Sequence, residues 1–141
     1  MNWIFQSNPK YFDLPAAVAE LTEIAWLVKQ YSQQITVGDT VYFWESGGDK
    51  AGIVAVGHVL AEPAMLPGNA DQAFQRDPGR FQSEALRVWV RIDHVLPKRI
   101  LRKVLLNDSL LKDLSILRWS NATNFRVTDE QAAALEKMIS S

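Results

Sequence analysis

Several of the tryptophans in this 141-residue chain stand near small polar or charged side chains. Trp44 precedes Glu45-Ser46, Trp26 follows Thr22-Glu23, and Trp119 sits in Arg118-Trp119-Ser120-Asn121-Ala122-Thr123-Asn124-Phe125. An indole face grips a planar nucleobase by stacking, at ~1–3 kcal/mol per base. Amides and hydroxyls read the hydrogen-bonding edge of such a ring. Aromatic residues mixed with Asn, Ser and Thr therefore have the chemistry of a base pocket, provided that the fold brings them together. For a single tryptophan core packing is the default, and Trp3 and Trp89 are read that way.

Catalytic patterns are missing. The two histidines, His58 and His94, have no partner at metal-ligand spacing, and the absence of cysteine removes thiolate chemistry and cysteine zinc sites. No GxSxG, HExxH or Walker sequence occurs. Gly47-Gly48 reads as a hairpin turn, and Asp129-Glu130 falls at a helix start, where the helix dipole accounts for it. The expectation is a domain without catalytic residues, cofactor or metal.

The net charge of −1 is unevenly spread. Residues 1–75 carry a balance of −5, residues 76–126 one of +6, and the last fifteen one of −2. Such a segment is either an ordinary solvated face or a phosphate-contacting one, for which Arg87, Arg91 and Arg118 are the candidates. The hydrophobic fraction of 48% and the chain length fit one globular domain over residues 1–141. No apolar run approaches the ~18 residues of a membrane span, and Met1-Asn2-Trp3-Ile4-Phe5-Gln6 lacks a signal-peptide pattern, which fits a cytoplasmic protein.

The elements that must position these residues are short. Trp3 to Gln6 reads as a strand, and Asp13-Leu14-Pro15 opens a helix through Leu21, with a capping acid and proline in the first turn. Ile24 to Val28 is a second strand. Thr40–Trp44 and Gly52–Leu60 form a hairpin across Glu45–Lys50. Ala61 to Glu84 has no period and reads as a long loop, mobile when free and ordered on nucleic acid, with Phe74 or Phe81 as its inserting ring and Arg76 and Arg80 as its steering charges; alternatively both rings pin it to the core. Ala85 to Ile92 alternates as a strand with Arg87, Trp89 and Arg91 on a wet side. Ile100–Leu106 and Leu110–Leu114 suggest helices, and Thr128-Asp129-Glu130-Gln131 is a capping box for a last one. Strands mixed with short helices, without a βαβ rhythm, indicate an α+β domain around a small curved sheet or barrel.

Over nearly its whole length the sequence resembles the EVE domain family, a PUA-like relative of the YTH readers. The resemblance is carried by Trp3–Pro9, Ile24–Val28, Val37–Gly47, Ala51–Gly57, Ile116-Leu117-Arg118 and Thr123-Asn124-Phe125, in that order. The chain departs from the commoner pattern at Ala122 and at Trp119-Ser120-Asn121. The resemblance implies a PUA-like barrel or mixed sheet of about five to six strands, and an aromatic cage for a flipped modified base. Trp26 and Trp44 would be its walls and Gln6-Ser7-Asn8 its edge reader. Ser46 and Asn121 through Phe125, with Thr123 and Asn124, would form the rim, and Arg118 would hold a phosphate. It also implies the setting of a modification-dependent restriction system, with a nuclease module in cis or trans.

The leading expectation is recognition of 5-methyl- or 5-hydroxymethylcytosine in DNA by base flipping, with Trp26 and Trp44 dispensable for folding. The alternatives are an RNA reader of a modified base, a small-ligand-binding domain using the same pocket, and a protein-interaction module.

Overall fold

The first strand is buried on both faces, and that fact organises the molecule. In the computed structural model, which describes residues 1–68, 74–76 and 83–141, β1 (Asn2–Ser7) sends Trp3 and Phe5 into one core and Ile4 into another. The remaining strands are β2 (Glu23–Leu27), β3 (Thr40–Glu45), β4 (Gly52–Val59), β5 (Ala64–Leu66), β6 (Ala85–Leu101) and β7 (Asn124–Val127). They form one sheet in the order β2-β6-β4-β3-β1-β7, with β5 paired to β6. Among the described residues only the β1–β3 pairing is parallel. This is the curled mixed sheet that the sequence predicts, with one more strand than the upper expectation.

Helix α1 (Leu14–Glu20) closes the first core with Leu14, Ala17 and Val18, and Asp13 caps it by accepting from the Ala16 N–H at 3.2 Å. The second core lies under α2 (Arg102–Leu106), a 3-10 turn at Leu111–Asp113, α3 (Ser115–Arg118) and α4 (Asp129–Ser140). The Thr128–Gln131 capping box that opens α4 is formed in both directions. Curling the sheet brings backbones close. A Cβ at Gly52 would lie 2.1 Å from the Ile100 carbonyl oxygen, and one at Gly57 would lie 2.0 Å from that of Arg91. Glycine at these two positions lets β6 wrap across β4. Trp3 is fully buried, and its Nε1 donates to Asp39 at 2.8 Å. Burial alone would raise the Asp39 carboxyl. The Trp3 indole, the Thr36 N–H and the terminal amine outweigh it and hold the group below its ordinary range.

Several boundaries differ from the sequence reading. β6 runs on to Leu101, so the helix of the 100–106 segment begins only at Arg102. Beyond Arg91 this strand pairs with β4 alone, and its exposed residues keep no apolar alternation that could mark it. The 110–114 segment is a single 3-10 turn. The long loop contains β5, too short to show a period, and a bridge between Phe12 and Gln75.

The two ends of the strand order, β2 and β7, are joined by a pair of side-chain amides. Asn124 Oδ1 accepts from the Lys29 and Gln30 N–H groups at 2.8 and 3.2 Å, and its Nδ2 donates to the Leu27 carbonyl at 3.1 Å. Gln30 Oε1 accepts in return from the Thr123 and Asn124 N–H groups at 3.1 and 3.0 Å. Asn124, only 1% exposed, is thus a clasp between sheet edges and makes no rim for a ligand, which corrects the sequence expectation. Asn124→Ala would remove the side-chain partner of three part-buried backbone groups and is expected to lower stability by about 2–4 kcal/mol. Denaturant unfolding checks this, and an unchanged midpoint would show that the clasp does not hold the edges.

Candidate functional site

A cavity of about 640 Å³ opens where β1, β2 and β3 end. That volume lies within the range of small-molecule sites, ~300–1,000 Å³. Its lining draws on both cores. The register of β3 against β4 shifts between Phe43 and Trp44, leaving Val54 without a partner in β3. Such a bulge bends the strand and re-aims the side chains beyond it. Trp44 and Trp26 both line the cavity, although Trp44 belongs to the second core and Trp26 to the first.

Both indoles are locked. Trp26, 6% exposed, has the Phe43 ring at 5.4 Å, Phe5 at 6.2 Å and Phe12 at 6.3 Å between centroids. Trp44 is 2% exposed. Truncating a buried tryptophan to Ala costs about 3–5 kcal/mol. The expectation that the fold would tolerate the loss of either is therefore corrected, since each wall is also core.

Of the other predicted base-contacting residues, Gln6, Ser7, Asn8, Ser46, Asn121 and Thr123 are brought to the cavity. They are not equally available. Gln6 Nε2 donates to the Ser120 and Ala122 carbonyls at 2.8 and 2.7 Å, so its amide hydrogens pin the 119–123 loop. Asn8 Oδ1 accepts from the Lys10 N–H at 2.9 Å in a local turn. The Ser7 carbonyl accepts from the Ser46 N–H at 2.8 Å. The Ser7 hydroxyl, buried in the cavity wall, has no hydrogen-bond partner among the described residues. Phe125 is turned into the second core, and neither it nor Asn124 lines the cavity.

The basic candidates scatter. Arg87 is 4% exposed, lines the cavity from inside and donates to the Leu66 and Ser83 carbonyls at 2.6 and 3.2 Å. It is no part of a wet face, because β5 and the chain before β6 cover it. Arg91 is exposed but pairs in register with Glu23, at the other end of β2 from Leu27 and the cavity. Arg118 is exposed and ion-paired with Asp113. The sequence reading missed Lys29, Arg102 and Tyr11, all of which line the opening. Lys29, two residues after β2, and Arg102, directly after β6, are solvent-exposed cations, and segment charge could not single them out. Phe74 packs on the first core and its carbonyl accepts from the Asp13 N–H, while Arg76 pairs with Asp13. That part of the long loop makes the contacts expected of a segment tied to the core. Phe81 and Arg80 lie outside the described residues. No group of three or more potential metal ligands occurs among the described residues.

The EVE domain family matches residues 1–138. No curated protein matches the chain. Among solved structures, a hypothetical protein of Leishmania major is 15% identical with a TM-score of 0.75, over 99% of this chain and 94% of that one. A Pseudomonas syringae protein is 18% identical with a TM-score of 0.74, over 99% of both chains. The human THYN1 protein, solved in complex with 5-methylcytosine containing DNA, is 14% identical with a TM-score of 0.70, over 99% of this chain and 98% of that one. At these identities the structures establish a shared fold, and the match over residues 1–138 establishes that the chain belongs to the EVE domain family.

Proposed function

We propose that the cavity takes up a modified base flipped out of nucleic acid, with 5-methylcytosine in DNA as the leading ligand, and that the domain reads the base without transforming it. The observation that carries this reading is the Ser7 hydroxyl, buried and unpartnered in a cavity walled by Trp26 and Trp44. A buried hydroxyl without a partner costs about 1–3 kcal/mol, which a fold selected for stability alone would shed. A planar ring with a polar edge offers both indoles a stacking face and brings hydrogen-bonding groups against the wall that holds Ser7. Lys29 and Arg102 supply positive charge at the opening for flanking phosphates. The THYN1 complex supports the class of ligand. A reader of this kind would direct a nuclease module elsewhere in a restriction system.

Extracting a base costs a few kcal/mol, so stacking and edge contacts must supply most of the affinity. A methyl group adds about 0.8 kcal/mol of burial, or roughly fourfold in preference over plain cytosine. Competition binding with matched DNA and RNA oligomers, each carrying one modified or plain base, tests the reading. DNA with 5-methylcytosine is expected to win, and equal binding of all four would contradict it. A modified RNA that wins would move the reading to an RNA reader.

Ser7→Ala separates function from stability. Its melting temperature is expected to equal or exceed that of the wild type, while affinity for the modified oligomer falls about three- to tenfold. Undiminished binding would remove Ser7 from the site. The Lys29→Ala, Arg102→Ala double variant is expected to weaken binding to every sequence alike and to flatten the log-log salt slope by roughly two units. An unchanged slope would place the phosphates elsewhere.

A further inference from the structure

Trp119 is 70% exposed, the most exposed of the large apolar side chains among the described residues. Its backbone is held all the same. It caps α3, with its N–H donating to the Ser115 carbonyl at 2.8 Å. The next residues are held by Gln6, through the Ser120 and Ala122 carbonyls and a backbone bond to Thr123, and by Gln30 through the Thr123 N–H. Ile116, one turn earlier, and Ser120, the next residue, both line the cavity. A tightly tied rim thus presents a bare indole at the edge of the site. An indole can bury 150–250 Å² or so, and leaving it wet on an ordered segment forfeits that gain unless something covers it.

The exposed indole beside a base-accepting cavity matches one surface that extraction itself creates. When a base leaves the stack, its neighbour loses a stacking partner and shows a bare π-face. We propose that Trp119 stacks on the nucleobase next to the extracted one, with exposed Arg118 directly before it in the chain. This rests on the reading of the cavity given above. Every base has a π-face, so the contact raises affinity for modified and plain sites equally and contributes nothing to discrimination.

The test uses the full chain, with duplexes carrying one 5-methylcytosine or cytosine and 2-aminopurine as its neighbour. Trp119→Ala is expected to melt like the wild type and to lose affinity about tenfold for both duplexes, with their ratio unchanged. Trp119→Phe is expected to recover most of the loss. In the wild-type complex the 2-aminopurine stays quenched against the indole, and in the Trp119→Ala complex it brightens. A Trp119→Ala protein that binds both duplexes like the wild type, with equal 2-aminopurine emission, would overturn the proposal while leaving the cavity reading intact. A Trp119→Ala protein that loses only the preference would overturn it too, because Trp119 would then belong to the discriminating pocket. A wild type without preference for the modified duplex would overturn the cavity reading, and the Trp119 contact with it.

Discussion

A curled sheet of this order leaves two edges, β2 and β7, that could remain apart. Asn124 and Gln30 tie the chain after β2 to the start of β7, each side chain serving the backbone of the other segment. Hydrogen bonds of this kind contribute about 1 kcal/mol each, and a partner shielded from water costs more when it is left unmet. Closing the edges also shapes the site. Leu27 and Lys29 on one side of the clasp, and Ala122 and Thr123 on the other, all line the cavity, so whatever fixes the clasp fixes the opening. Gln6 extends the same restraint to the 119–123 loop.

The site is a place where the fold is left incomplete. Strands β1 and β3 are buried on both faces and alternate between the two cores through Trp44, but β4 shifts its register against β3 between Phe43 and Trp44. Beyond it Val54 and Ala55, consecutive in the chain, both join the first core, while Ile53 joins the second. The cavity lies along this discontinuity, with one tryptophan from each core in its wall. Rigidity follows, because each indole is held by its own packing before any ligand arrives. Preorganised walls reduce the ordering cost of binding.

Much of the fold was legible where a local rule acts alone. The Asp13 cap, the Thr128–Gln131 box, the β3–β4 hairpin and the alternation of β1 all appear as read. What stayed hidden depends on partners distant in sequence. Arg87 alternates as an outward residue, yet β5, more than twenty positions earlier, covers it. Asn124 has the chemistry of a base reader, and only its proximity to Lys29 and Gln30, 94 to 95 positions away, makes it a clasp. The polar cluster from Gln6 to Asn8 with Ser46, Asn121 and Thr123 was legible through resemblance, since spacing alone could not bring those segments together. Lys29 and Arg102 were lost for the opposite reason: charge counted along the chain does not locate a cation in space.

The central claim is that the modified base enters this cavity. An oligomer with a carbon-13 label on the methyl group of its single 5-methylcytosine allows that to be observed directly by NMR. In the complex the methyl resonance is expected to leave its stacked-duplex position and to show cross-relaxation with the indole protons of Trp26 and Trp44. A complex that forms while the methyl signal keeps its duplex position, with no contact to either ring, would contradict the account.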